Sequence, residues 1–410
     1  MIRDVALDTA VDYEFQPIGE DGYLYRLPQI QTEFLISRIR RDRYELHCEL
    51  VVKCGLVGIR AADGILSSGS FNVSSLRARK ERAQHLHERA RLKDGPDWLT
   101  LVEQSCHLVI EADRRGEPSI DLADAEDEPE DAHIEIAGLP LLEHMPNLVF
   151  GDGDSLKSFL AVFLAGEMAR RGRTVGYVDA EFTASAHKKR LARIYGDRVP
   201  RGIRHVRVNR PLVYETDRLS KLAREDGWGF AFFDSVSFLA DGPPEAAEVA
   251  IRYSQAVRSL GEIGTLHVAH MTKAFEGADM KPFGSAFWFN WARAVWNAKK
   301  TESQQGEAHL ALYCRKANLG RLKGSCGFRF EFDAQRVAIS PMDVATNPEL
   351  AEGLPVWERM STALSSGAMT KEKLADAIVS KPDTVRRTAQ RYPARFVLLP
   401  GGMIGLKAAI

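Results

Sequence analysis

The 410-residue chain has little of three things that would classify it quickly. Its cysteines are few, odd in number and scattered, at Cys48, Cys54, Cys106, Cys314 and Cys326. That excludes a disulfide framework as the source of stability and leads us to expect a reducing compartment. No apolar run approaches the roughly 20 residues that cross a bilayer, and Met1-Ile2-Arg3-Asp4 opens without the apolar core of a signal peptide. A cytoplasmic protein with no membrane partner is the expectation. Net charge is nearly absent, with 55 Lys and Arg against 56 Asp and Glu, so any nucleic-acid contact must come from local basic patches. Internal repeats and low-complexity tracts are missing too. What is present, 45% hydrophobic and 27% charged residues, is globular composition, and the length calls for two or three domains.

Two breaks divide the chain. Asp121, Asp124, Glu126, Asp127, Glu128, Glu130 and Asp131 crowd around Pro129, and like charges so dense extend a chain, which predicts a linker over 121–137. A solvated acidic loop within one domain is the plainer alternative. Asn347-Pro348 and Gly353-Leu354-Pro355 supply turn signals for the second break. The first part, 1–120, predicts an α+β domain of unassigned role. Its strand-like runs are Tyr23 to Leu27, Glu33 to Ile39 and Tyr44 to Val52. From Ser74 to Leu92, Leu76, Ala83, Leu86 and Ala90 alternate with Arg77, Arg79, Lys80, Arg82, Arg89 and Arg91, which predicts a helix with a cationic face. Such a face is either solvated surface or a site for nucleic acid or a partner. A second helix is expected over Trp98 to Ala112. His47-Cys48, Cys54 and Cys106-His107 match no zinc spacing and read as core residues.

The chemistry begins at Asn147-Leu148-Val149-Phe150, a short buried strand that runs into Gly151-Asp152-Gly153-Asp154-Ser155-Leu156-Lys157-Ser158 and then an apolar helix from Phe159 to Arg170. A phosphate-binding loop needs this strand, loop and helix order. Small residues let backbone N–H groups wrap a phosphate, the helix N-terminus adds partial positive charge, Lys157 reaches the β- and γ-phosphates, and the Ser158 hydroxyl holds magnesium. Leu156 departs from the pattern, standing where glycine normally precedes the lysine. Further strands are expected at Arg173 to Val178, ending in Asp179-Ala180-Glu181, at Gly229 to Phe233, ending in Asp234-Ser235, and at Thr265 to Ala269, ending in His270. An apolar strand that lifts one carboxylate to a magnesium ion is the second half of such a site, and Asp234 fits that place.

With Asp179-Ala180-Glu181 in that position the sequence resembles the RecA superfamily of P-loop ATPases, and the Gly284-Ser285-Ala286 segment followed by Arg293 resembles its RepA-like and DnaB-like helicase branch. The resemblance implies ATP and Mg2+ as cofactors, Glu181 as the residue that polarises the attacking water with Asp179 as runner-up, and His270 as sensor of the γ-phosphate. It implies a DNA-facing loop at Lys273 to Lys281 with Arg293 nearby, and a cation that reaches a neighbouring subunit's nucleotide. Arg315 and Lys316 are the candidates for that cation, since Asn318 stands where the relatives carry the arginine. A basic hairpin facing solvent is the alternative. Phe287, Trp291 and Val295 fall on helical spacing and predict a helix core rather than base-stacking platforms.

After Val356, apolar residues Met360, Leu364, Leu374 and Ile378 mark two short helices, and Asp383 to Tyr392 a third, before a hairpin of Phe396 to Leu399 and Met403 to Leu406. This part, 354–410, resembles a winged helix-turn-helix. The third helix would then offer Lys381, Thr384, Arg386, Arg387 and Gln390 to DNA, although such modules also bind proteins. The expected fold class is α/β, a RecA-like P-loop core over 138–340 between an N-terminal α+β domain and the C-terminal module. The expected protein is an ATP-hydrolysing DNA motor, most like a replicative helicase, working as a hexameric ring or filament. A recombination filament former and a non-hydrolysing DNA-anchored scaffold are the rivals.

Overall fold

The structure, a computed structural model, describes residues 12–18, 22–42, 44–93, 95–115, 119, 121–124, 133–270, 284–302, 306–318 and 324–407. The chain forms two compact units, Met1–Asp127 and Glu128–Ile410.

In the first unit an antiparallel meander, β1 (Glu14–Pro17), β2 (Tyr23–Leu27), β3 (Thr32–Asp42), β4 (Glu45–Cys54) and β5 (Ile65–Asn72), is followed by α1 (Leu76–Ala90) and α2 (Trp98–Arg115). Alternate residues of β4, Leu46, Cys48, Leu50, Val52 and Cys54, are buried with Leu86 and Val102 of the helices, the period-2 pattern of a sheet with one covered face. Burial pushes the Cys48 thiol up to about 12, as expected of a core cysteine. Two expectations change. Leu76 is exposed, so the buried stripe of α1 is Ala83, Leu86 and Ala90 alone. Part of the cationic face is also engaged within the unit: Arg79 pairs with Glu103 at 2.8 Å, and Arg82 donates to Ser67 and lies over the Phe71 ring.

The second unit opens with a hairpin, β6 (His133–Ile136) and β7 (Leu139–Leu142). β6 lies inside the expected 121–137 linker and corrects its end; residues 125–132 lie outside the described residues. There follow β8 (Pro146–Gly151), α3 (Lys157–Arg170), β9 (Val175–Asp179), α4 (Ala184–Tyr195), β10 (Ile203–Arg207), α5 (Thr216–Asp226), β11 (Phe230–Asp234), α6 (Val236–Leu239), α7 (Ala247–Arg258), β12 (Gly264–His270), α8 (Ala286–Trp291), β13 (Ala294–Glu302), β14 (Glu307–Ala317), β15 (Cys326–Phe332) and β16 (Val337–Met342). These strands build one nine-stranded sheet of order β10-β9-β11-β12-β8-β13-β14-β15-β16, parallel from β10 to β13 and antiparallel beyond. Helices cover both faces of the parallel part, which is why its strands read as continuous apolar runs such as Phe230-Ala231-Phe232-Phe233. Along β8, Val149 joins the core under α3, while Leu148 and Phe150 join the core under α5 and α7. β8 therefore sits centrally, with Gly151 at its end so close to β13 that a Cβ there would meet the Ala298 carbonyl at 2.4 Å. A mostly parallel sheet with a phosphate-loop motif after a central strand fits a RecA-like core.

The expected helix through Phe287, Trp291 and Val295 forms only in its first part and does not reach Val295. α8 stops at Trp291, Ala292 is extended, Arg293 N–H bonds back to Pro146 O, and Val295 lies in β13 beside β8. The side chain that α8 buries is Trp288, while Phe287 is exposed.

The C-terminal part contains α9 (Pro348–Ala351), α10 (Val356–Ala363), β17 (Met369–Thr370), α11 (Lys371–Ala377), α12 (Pro382–Arg391), β18 (Phe396–Leu399) and β19 (Met403–Leu406). Its strands form a small antiparallel sheet of order β17-β19-β18 over a core of Met360, Leu364, Leu374, Val385 and Phe396. The Thr370 side chain caps α11, accepting from Lys373 N.

Candidate nucleotide site

The loop between β8 and α3 closes on its own lysine. Lys157 Nζ donates to Gly151 O at 2.9 Å, Asp152 O at 2.5 Å and Ser155 Oγ at 2.9 Å, and burial pulls its pKa down to about 8 against the raising effect of Asp234, Asp152 and Glu181. An ammonium held only by neutral oxygens at a helix N-terminus, whose backbone carries the same sign, is a site poised for an anion. Asp154 and Leu156 both adopt left-handed backbone, and Leu156 is the N-cap of α3 with φ 61°. That conformation disfavours L-residues by roughly 1–2 kcal/mol. Partial compensation comes from the side chain, which packs against the core under α3 rather than standing over the loop. Lys300 of β13 steadies the loop from the side, pairing with Asp154 at 3.1 Å and Glu302 at 2.8 Å.

Three parallel strands deliver polar side chains to the same edge, acids from β9 and β11 and a histidine from β12. Ser158 Oγ donates to Asp234 Oδ1 at 3.0 Å, and the Tyr177 hydroxyl donates to Asp234 Oδ2 at 3.0 Å. Burial raises the Asp234 carboxyl to about 6 despite both hydrogen bonds, with Asp179 and Glu181 adding to the rise. Glu181, exposed at the loop after β9, accepts from the Ser235 hydroxyl at 2.7 Å. Asp179 occupies a different position: it is fully buried, Oδ1 accepts from Glu181 N at 2.5 Å and Phe182 N at 2.6 Å, and Oδ2 meets His187 Nε2 at 2.5 Å. Both oxygens of Asp179 are thus engaged, and one of them holds the backbone of the turn that carries Glu181. His270 ends β12 half-buried, its pKa lowered by burial and then by Lys157, with Glu181 opposing.

The other candidates fall elsewhere. Lys273 and Lys281 lie outside the described residues, as does the Gly320 to Lys323 tip of the β14/β15 connection. Lys316 is engaged within the chain: its ammonium donates to Phe289 O at 3.0 Å, Asn290 O at 2.7 Å and Ala292 O at 2.7 Å, closing the C-terminus of α8, which corrects its reading as a free finger. Arg315 sits in a register shift, since Lys316 pairs with Val295 while Cys314 pairs with Trp296. There it lies over the Tyr313 ring at 5.4 Å and donates to Asn297 Oδ1 at 3.3 Å. Arg293 is exposed beside β13. On α12, Lys381, Arg386, Arg387 and Gln390 are exposed, with Arg386 near Asp383 at 3.8 Å, and Thr384 is half-buried. Sequence reasoning missed Tyr177, Ser235 and Lys300, which reach the site from strands far away along the chain.

No protein-family model matches the chain, and no curated protein matches it. Among solved structures it is similar to an ATPase domain, at 14% identity and TM-score 0.37, over 47% of this chain and 82% of that one. It is similar also to the flagellar accessory protein FlaH from Methanocaldococcus jannaschii, at 12% identity and TM-score 0.36, over 49% and 90%. Among the described residues, no helix is long and apolar enough to cross a membrane.

Proposed function

We propose that the chain is an ATPase with Gly151 to Ser158 as its nucleotide site and that its work is done on DNA. The observation that carries this reading is a pair of hydrogen bonds, one linking the start of α3 to the end of β11, Ser158 to Asp234, and one linking the ends of β11 and β9, Ser235 to Glu181. On this reading they join a phosphate cradle, a metal-holding pair and an exposed carboxylate on one edge of the sheet. Ser158 and Asp234 offer only oxygen donors, the set that suits magnesium. They would hold the ion, which would supply charge neutralisation to the triphosphate. Lys157 would exchange its carbonyl partners for the β- and γ-phosphates, Glu181 would orient the attacking water and take its proton, and His270 would report the γ-phosphate.

The DNA half of the proposal rests on α12, whose Lys381, Arg387 and Gln390 stand exposed, with Arg386 and Thr384 beside them, in what we read as a winged helix-turn-helix. A homo-oligomer, ring or filament, is the assembly in which Arg315 would serve a neighbour's nucleotide. Steady-state ATP turnover of the wild type and of Lys157→Ala, with and without single-stranded DNA, tests all of this. DNA-stimulated turnover that the variant lacks is expected. Turnover indifferent to DNA would remove the motor, and an unaffected variant would remove the site. Length-proportional coating of DNA without unwinding would favour the recombination filament, and ATP binding without turnover the scaffold.

A further inference from the structure

Behind the Glu181 turn lies a second group of side chains that nucleotide chemistry does not use. Asp179 at the end of β9, His187 in α4 and His205 in β10 each bring a donor atom within 4.8 Å of the others, and no other such group of three occurs among the described residues. Asp179 and His187 are buried, and His205 is half-buried on the edge strand. Two ring nitrogens here, His187 Nδ1 and His205 Nε2, are shut away from solvent without a hydrogen-bond partner. Buried polar atoms are nearly always partnered, so the orphaned His205 Nε2 beside the His187 and Asp179 contact calls for a missing partner. The second interaction of the His205 ring is with the Phe182 backbone, the arrangement by which ligating histidines are held in orientation.

We propose that Asp179, His187 and His205 bind one divalent transition-metal ion of the zinc class. One carboxylate oxygen and two imidazole nitrogens suit a borderline cation better than magnesium, which prefers oxygen alone. Binding at about 2.0–2.2 Å from each donor needs the donors roughly 3.4 Å apart. The His187 and Asp179 contact must therefore open and His205 must move in. Asp179 divides its two oxygens cleanly, because Oδ1 already holds the Glu181 and Phe182 N–H groups and Oδ2 faces the histidines. The ion would tie β9, α4 and β10 together and fix the carboxylate that aims the Glu181 turn. Water can complete the coordination from the exposed side of His205.

The test does not depend on turnover and stands whether or not the chain hydrolyses ATP. The full chain is stripped with chelator and titrated with Zn2+ and Co2+ while stoichiometry, melting temperature and the Co2+ absorption spectrum are recorded, for the wild type and for His205→Asn. Expected are one equivalent per chain, a raised melting temperature, and a Co2+ spectrum without a thiolate charge-transfer band. In His205→Asn the shift and the equivalent should both disappear. An absent equivalent in the wild type, a thiolate band, or an undiminished shift in the variant would each overturn the proposal. If the variant fails to fold, the wild-type spectrum and stoichiometry decide alone.

Discussion

Lys157 and Lys316 end in similar surroundings and do different things. Each ammonium is clasped by main-chain carbonyls, those of Gly151 and Asp152 for one and of Phe289, Asn290 and Ala292 for the other, and burial lowers the pKa of both. Lys157 sits at the start of a helix, where backbone dipoles share its sign, so an entering phosphate can draw it away from its cage. Lys316 sits at the end of a helix, where the dipole opposes its charge and holds it in place. A carbonyl cage alone therefore does not distinguish a lysine poised for an anion from one fixed in the frame. The helix end it occupies does, together with whether acids from other strands arrive beside it.

The largest effect expected on the Lys157 side comes from Glu181→Gln, which should cut ATP turnover by about 10²–10⁴-fold while nucleotide binding persists. Fluorescent-nucleotide binding beside steady-state turnover checks it, and normal turnover would return the base assignment to open ground. On the Lys316 side the largest effect is acid sensitivity. His267 lies under α8, stacked on Phe233 and against Trp291, and burial holds its pKa down to about 3. A depressed folded value means a stabilising contribution that is complete above the unfolded value near 6.5 and is lost as pH falls below it. That is about 2 kcal/mol by pH 5. Denaturant midpoints of the wild type and His267→Gln should converge as pH falls, and parallel curves would contradict this. Next, Lys316→Ala should lower stability by about 1–2 kcal/mol through lost charged hydrogen bonds, at the low end of their range because the group is only part-buried. Its turnover per folded chain without DNA should stay near wild type, and a collapse there would erase the contrast with Lys157. Smallest of all, Leu156→Gly should shift stability by less than about 1 kcal/mol, as relief of left-handed strain is offset by chain entropy and lost packing. Thermal melting reads it, and a drop of many degrees would show that the packing dominates.

The central strands and the loop were legible because each apolar run ends in a glycine or a polar residue, as at Gly151, Asp179, Asp234 and His270. β13 was not, since Trp296 to Thr301 follows α8 without glycine or proline to mark the change, and aromatic spacing imitated a helix. β10, Ile203-Arg204-His205-Val206-Arg207, is an edge strand whose charges hide its period. At the candidate site, the meeting of Ser158 and Asp234 was expected from their order along the chain. Tyr177 and Ser235 were not, because they act across separations of 57 and 54 residues that only the folded sheet closes. The engagement of Lys316 could not be read at all, since its partners are carbonyls that every residue carries.

The register shift at Arg315 has a consequence for how this strand tolerates change. One extra residue stands there against β13, so side chains on its two sides follow opposite alternations. Substituting Arg315 alters its two contacts, with Tyr313 and Asn297, but deleting it would put the strand back in step and exchange inside for outside at Lys316 and Ala317. The same position that accepts a point mutation would thus act as a phase error when shortened, carrying a cation out of its carbonyl cage without touching the residue itself.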